Sequence, residues 1–155
     1  MTIIDYFVCE NKQQWLERIA ECDWRSGKYL CDLLKNGTLF EKTGENTKVL
    51  LLTNKEELLG FCTVSEKKYD IESSLSPWLG FVYVFPKYRG NRYSEKLLRC
   101  AEEVVCASGV KGLYLSTKHI GLYEKYGYSF LENAKDWRNE EQRVYFKPSE
   151  KIKQG

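Results

Sequence analysis

The stretch VYVFPKYRGNRYSEKLL, residues 82–98, constrains the fold of this chain more than any other. An apolar, strand-like run stops at Pro86, turns through Arg89, Gly90, Asn91 and Arg92, and resumes as an amphipathic helix near Tyr93. That helix places Leu97, Leu98, Ala101, Val104, Val105 and Ser108 on one stripe. Gly109 ends it, and residues 112–116 (GLYLS) follow as a strand. Strand, helix and strand at this spacing make a crossover unit, so the two strands are expected to run parallel.

The flanking sequence predicts mostly antiparallel structure. Residues 2–8 read as a strand. Asn11, with Gln14 three residues on, caps a helix carrying Trp15, Ile19 and Cys22 on one face. Ser26 caps a second helix with Leu30, Leu33 and Leu34, and Gly37 sits where a helix end favours left-handed backbone. KVLLLT (48–53) and LLGFCTVS (58–65) form a hairpin through a polar turn. A polar loop over residues 66–76 leads to Pro77 and the strand at 78–85. A short helix over about residues 120–126 stops at Gly127, and strands near 128–132 and 142–147 complete the sheet. The fold class is therefore α/β (α+β): a mixed, mostly antiparallel twisted sheet with one parallel β-α-β crossover and flanking helices.

A chain of 155 residues is long enough for one core, so residues 1–155 are read as a single domain. Its 24 basic and 22 acidic residues give +2, too balanced for a broad nucleic-acid-binding face. Six cysteines without a C-x-x-C pair are read as reduced, mostly buried thiols of a cytoplasmic protein. One histidine and no paired cysteines argue against a zinc site. The N-terminal residues lack a signal-peptide pattern and no apolar run reaches membrane-spanning length, so no membrane association is expected. Lys147, Lys151 and Lys153 alternate with Glu150, and the tail from about residue 148 is read as solvated.

The turn at 89–94 has its own chemistry. The N-terminus of the following helix favours an anion. Gly90 lets backbone approach a ligand, Arg89 and Arg92 add charge and bidentate donors, and Ser94 adds a hydroxyl. A pyrophosphate site and a solvated basic cap both fit these residue types. No G-x-x-x-x-G-K-[ST] and no G-x-G-x-x-G is present, so two common nucleotide motifs are excluded.

At these residues the chain resembles the GNAT superfamily of acyl-CoA-dependent N-acetyltransferases. That family's [Q/R]-x-x-G-x-[G/A] turn corresponds to Arg89, Gly90, Asn91, Arg92, Tyr93 and Ser94, and LGFVYVFPKY corresponds to its pantetheine-pairing strand. IGLYEKYGYSFLE is similar to the family's A-x-x-L-Y-x-x-x-G-F segment. Two departures stand out: Arg92 replaces the family glycine, with a side chain that would reach a phosphate instead, and Ser94 replaces the final Gly or Ala. The resemblance implies direct attack of a neutral amine on acetyl-CoA, without an acyl-enzyme or a metal. Phe81, Val82, Tyr83 and Val84 would line a gap between splayed strands, with a backbone N–H near Val84 polarising the thioester carbonyl. Ser116 or Thr117 would take the pantetheine contact that the family often gives to an asparagine.

Tyr123 would protonate the departing coenzyme A thiolate; a core aromatic beside Leu122 and Tyr126 is its alternative role. His119 is the candidate base, or else a helix-start cap. Asp70 and Glu72 either meet a cationic amine or are solvated loop acids. Trp24, Trp78 and Trp137 either line the acceptor pocket or pack. A catalytically silent acyl-CoA-binding module is the competing reading, and a nucleic-acid binder using Arg89 and Arg92 is a third. The acceptor amine is not legible in the sequence, and a homodimer through the C-terminal strands is an open expectation.

Overall fold

Two consecutive strands, KVLLLT and LLGFCTVS, are too apolar to leave either face in water. The computed structural model, which describes residues 1–154, covers both faces. The elements run β1 (Thr2–Asp5), α1 (Lys12–Ala20), α2 (Arg25–Asn36), α3 (Leu39–Thr43), β2 (Lys48–Asn54), β3 (Glu57–Ser65), β4 (Trp78–Val84) and α4 (Tyr93–Ala107). They continue with β5 (Gly112–Thr117), β6 (Ser129–Lys135), β7 (Glu141–Pro148) and α5 (Ser149–Gln154), with short 3-10 turns at Pro86–Tyr88 and Tyr123–Tyr126. Along β2, Val49 and Leu51 join Trp15, Leu16, Ile19 and Leu30 beneath α1 and α2. Leu50 and Leu52 point the other way, to Leu97, Leu98, Ala101 and Val105 of α4. Each such leucine, fully buried, contributes roughly 1.5–3 kcal/mol.

The sheet order is β1-β2-β3-β4-β5-β7-β6. Every neighbouring pair is antiparallel except β4 and β5, the two strands of the predicted crossover. The parallel strands pair only at Trp78 and Tyr114, with the Tyr114 N–H donating to the Pro77 carbonyl at 3.0 Å. Beyond that point the strands part, and the remainder of β4 faces a gap. The β3–β4 register also slips between Phe61 and Thr63, and Phe81 stands in the left-handed region at φ 50°. This bulge bends β4 where the gap begins.

Gly60 lies opposite Val84 just past the bulge, and a Cβ there would run into the Tyr83 carbonyl oxygen. Gly60→Ala is therefore expected to destabilise the chain by roughly 1–3 kcal/mol, seen as a lower urea midpoint with an unchanged slope.

Several local expectations are corrected. Strand β1 ends at Asp5 because its Oδ1 accepts the Phe7 N–H at 3.0 Å and its carbonyl takes the Val8 and Cys9 N–H groups, closing a turn. Asn11 stands at the N-cap of α1 but makes no side-chain capping bond. Trp24, not Ser26, holds the N-cap of α2, and the Ser26 hydroxyl instead accepts from the Tyr69 hydroxyl at 3.3 Å. Gly37 does take the left-handed C-cap, at φ 66°. The helix over 120–126 shrinks to one 3-10 turn, ended by Gly127 at φ 93°. Helix α3 lies where only a connection was expected.

The C-terminal stretch differs most. Residues 149–154 form α5, which packs on α4, and Lys147 is buried rather than solvated. The Lys147 ammonium meets the buried Glu102 carboxylate at 2.9 Å and donates to the Tyr126 carbonyl at 3.0 Å. The cysteines are all free: Cys22, Cys31 and Cys62 are buried, whereas Cys9, Cys100 and Cys106 are half-buried. Among the described residues no helix is long and apolar enough to cross a membrane.

Candidate active site

The Phe85 N–H donates to the Leu59 carbonyl at 3.0 Å, so strand alternation turns the N–H and carbonyl of Val84 away from β3 and into the gap. Arg89 confirms that direction: its Nε donates to the Val84 carbonyl at 2.9 Å. The next turn carries two left-handed residues, Gly90 at φ 89° and Arg92 at φ 60°. Arg92 is the N-cap of α4 and makes no side-chain capping bond. The first bond of the helix runs from the Lys96 N–H to the Arg92 carbonyl, so the N–H groups of Tyr93, Ser94 and Glu95 have no intrahelical partner. Around Gly90 a Cβ would meet nothing within 4 Å. An open, uncapped helix N-terminus beside two arginines fits a pyrophosphate.

Arg92 explains its own departure from the family pattern. A side chain in left-handed backbone costs roughly 1–2 kcal/mol, which is why glycine suits this place. Arg92 keeps the glycine-type conformation and brings a guanidinium to the cleft.

That cleft, about 350 Å³, gathers Val82, Tyr83, Val84, Arg89, Gly90, Arg92, Tyr93 and Ser94 with His119 and Tyr123. Asn91 stands outside it, its side chain donating to the Tyr88 carbonyl at 2.9 Å. Ser116 and Thr117 line a neighbouring cavity instead, and the Thr117 hydroxyl is engaged by the His119 N–H at 3.0 Å.

This second cavity, about 380 Å³, lies between Gly80–Val82 of β4, the end of β5, the 66–76 loop and the 136–140 turn. The Trp137 N–H donates to the Asp70 carbonyl at 2.9 Å and ties loop to turn. Tyr69 stacks on Phe81, with ring centroids 4.6 Å apart, and packs edge-on against Trp137. Trp24 and Trp137 line the cavity, whereas Trp78 is fully buried core and Glu72 stands outside. Asp70 lines the cavity with its carboxylate 2.7 Å from the Lys68 ammonium. Burial raises the Asp136 carboxyl, but hydrogen bonds from Gln142 and from the Glu140 and Arg138 N–H groups outweigh it and hold the group below its usual range. Lys68, Asp136 and Arg138 escaped the sequence reading because nothing in KKYD or KDWRN marks them as neighbours; only the loop-to-turn contact joins them.

Tyr123, His119 and Val82 line both cavities and form their shared wall. Burial, with smaller contributions from Tyr126 and Cys62, pushes the Tyr123 hydroxyl above its ordinary value of 10.0, so it stays protonated at neutral pH. Tyr123 packs edge-on to Tyr128, and the imidazole of His119 is exposed.

A family model described as an acetyltransferase (GNAT) domain matches residues 45–130, which include the crossover, the basic turn and Tyr123. The chain belongs to the GNAT acetyltransferase family. No match is found among curated protein sequences. Solved structures superpose over nearly the whole chain. The aminoglycoside 6'-N-acetyltransferase from Enterococcus faecium has a TM-score of 0.69 at 14% identity, covering 96% of this chain and 97% of that one. An aminoglycoside 6'-N-acetyltransferase complexed with coenzyme A has a TM-score of 0.67 at 14% identity, covering 96% and 97%. The KacTA–DNA complex has a TM-score of 0.65 at 20% identity, covering 99% and 96%. At such identities the likeness carries the GNAT fold alone; the coenzyme A and the DNA belong to those structures.

Proposed function

We propose that this GNAT protein is an N-acetyltransferase that moves the acetyl group of acetyl-CoA to a primary amine by direct attack in a ternary complex. One observation carries the reading: a half-buried tyrosine, its hydroxyl held protonated, stands in the wall shared by two cavities. One cavity ends at an open helix N-terminus suited to a pyrophosphate, and the other is lined by aromatic and polar side chains. A site for joining two substrates needs this layout.

In this reading the free N–H groups of Tyr93, Ser94 and Glu95 and the guanidinium of Arg92 hold the pyrophosphate. The Val84 N–H polarises the thioester carbonyl. The amine nitrogen bonds to the acetyl carbon, the carbon–sulfur bond breaks, and the Tyr123 proton passes to the thiolate. The amine's own proton leaves through His119, which reaches both cavities and water. Asn91 holds the turn, and Ser116 and Thr117 shape the acceptor side. Balanced charge gives no support for a nucleic-acid partner, and among the described residues no cluster of three or more His, Cys, Asp or Glu could hold a metal ion.

A silent acyl-CoA-binding module would have use for the first cavity only. Thiol release from acetyl-CoA, followed with and without a panel of amines, separates the two. Amine-dependent release is expected; acetyl-CoA binding by calorimetry without release on any amine would leave the binding module. Arg92→Gly is expected to raise KM for acetyl-CoA about tenfold at low salt, a loss that shrinks as ionic strength rises. An unchanged KM would remove the guanidinium from the pyrophosphate site.

A further inference from the structure

The acceptor cavity carries three carboxylates, and each is already engaged. Asp70 is paired with Lys68, Glu140 with Lys118, and Asp136 takes Gln142 and two turn N–H groups. A polycationic amine would find no free carboxylate here. The cations are engaged less fully. The Lys68 side chain is only 9% exposed, lines the cavity, and lies 4.3 Å from the centre of the Tyr69 ring. An ammonium has three N–H donors. Among the described residues Lys68 has one hydrogen-bond acceptor, Asp70 Oδ1 at 2.7 Å. A buried ammonium with donors to spare is costly unless something else accepts from it. Burial also pulls the Lys68 ammonium below its ordinary value despite Asp70, so a further negative charge would be favoured. Arg138 adds a guanidinium at the rim, and among the described residues it makes no ion pair.

We propose that Lys68, assisted by Arg138, is an anion-recognising subsite, and that the acceptor is an amine carrying a carboxylate or phosphate group rather than a polyamine or amino sugar. The amine would point to Val82 and Tyr123, its body would lie against Phe81 and Tyr69, and its anionic group would accept from Lys68. The inference deepens the acetyltransferase reading and rests on it for the amine, while the anion site can be tested without turnover.

Two matched pairs isolate the anionic group: tyrosine against tyramine for carboxylate, and O-phosphoethanolamine against ethanolamine for phosphate, with spermidine as the polycation. The acidic member of one pair is expected to have a kcat/KM about tenfold or more above its neutral partner, the size of one charge-assisted hydrogen bond. The double variant Lys68→Met, Asp70→Asn, which leaves no lone buried charge, is expected to erase that preference. Arg138→Gln, a substitution at an exposed rim, is expected to reduce it without touching the fold. Preference for the neutral amines or spermidine, or a preference surviving in both variants, would overturn the proposal. Calorimetric titration of the same pairs onto the coenzyme A-loaded protein reads the preference directly. Tight binding of the acidic amine without acetylation would uphold the anion site and refute the transferase reading instead.

Discussion

Tyr123→Phe is expected to lower kcat by about 10²–10⁴ while leaving the acetyl-CoA Kd within about twofold. The substitution removes one hydroxyl and keeps the ring that packs on Tyr128 and Tyr145, so the wall between the cavities stays in place. The leaving thiolate then has to take its proton from water. The pH dependence supplies an independent check. Burial raises the Tyr123 hydroxyl above 10.0, so the acid is present at neutral pH and is lost only when the pH climbs through that raised value. Wild-type kcat should therefore show no loss attributable to this group between neutrality and about pH 10. Steady-state kinetics with acetyl-CoA and thiol detection measure both. A variant with wild-type turnover would return Tyr123 to the core-packing role.

Glu102→Leu should cost about 3–5 kcal/mol, a large share of the stability of a domain this size. Glu102 is buried on the inner face of α4, where its carboxylate takes Lys147 at 2.9 Å, Arg99 at 2.9 Å and the Tyr128 hydroxyl at 3.0 Å. The substitution leaves the Lys147 ammonium buried with the Tyr126 carbonyl as its remaining acceptor. Adding Lys147→Met removes the stranded charge and should recover much of the loss, because two apolar side chains replace a buried pair. Urea denaturation of the single and double variants checks the sign; a double variant no more stable than Glu102→Leu would contradict it. The network also ties α4, whose N-terminus faces the basic cleft, to the carbonyl end of the turn that carries Tyr123. The position of that turn against α4 thus depends on one buried pair.

Much of this was legible residue by residue. The stripe Leu97, Leu98, Ala101, Val105 follows from helical period, and the parallel crossover follows from strand, helix and strand spacing. RGNRYS and GLYEKYGY carry their information in local order, because a turn and a helix start are built from neighbours in sequence. Local signals also misled. Asn11 does stand at the start of α1 without making a capping bond, but Ser26, an equally good capping type, was drawn off to Tyr69 and α2 begins at Trp24 instead. Lys147 is followed by the charged tail at residues 150–153, and its burial against Glu102 left no local trace.

Residue order alone carries the central scaffold and the cleft at the open start of α4: apolar period, a glycine-bearing turn, and a tyrosine at fixed distance along the chain. The second cavity, by contrast, comes only from contacts distant in sequence. Lys68 and Asp70 come from one loop, Asp136 and Arg138 from another more than sixty residues away, and the Trp137–Asp70 bond closes them around a cavity. The splay of β4 from β5, which opens both cavities, depends on a bulge at Phe81 and on a single point of pairing at Trp78. Chemistry held within one turn of backbone can be read from neighbouring residues. A cavity walled by separate loops exists only once the sheet has set the distance between them.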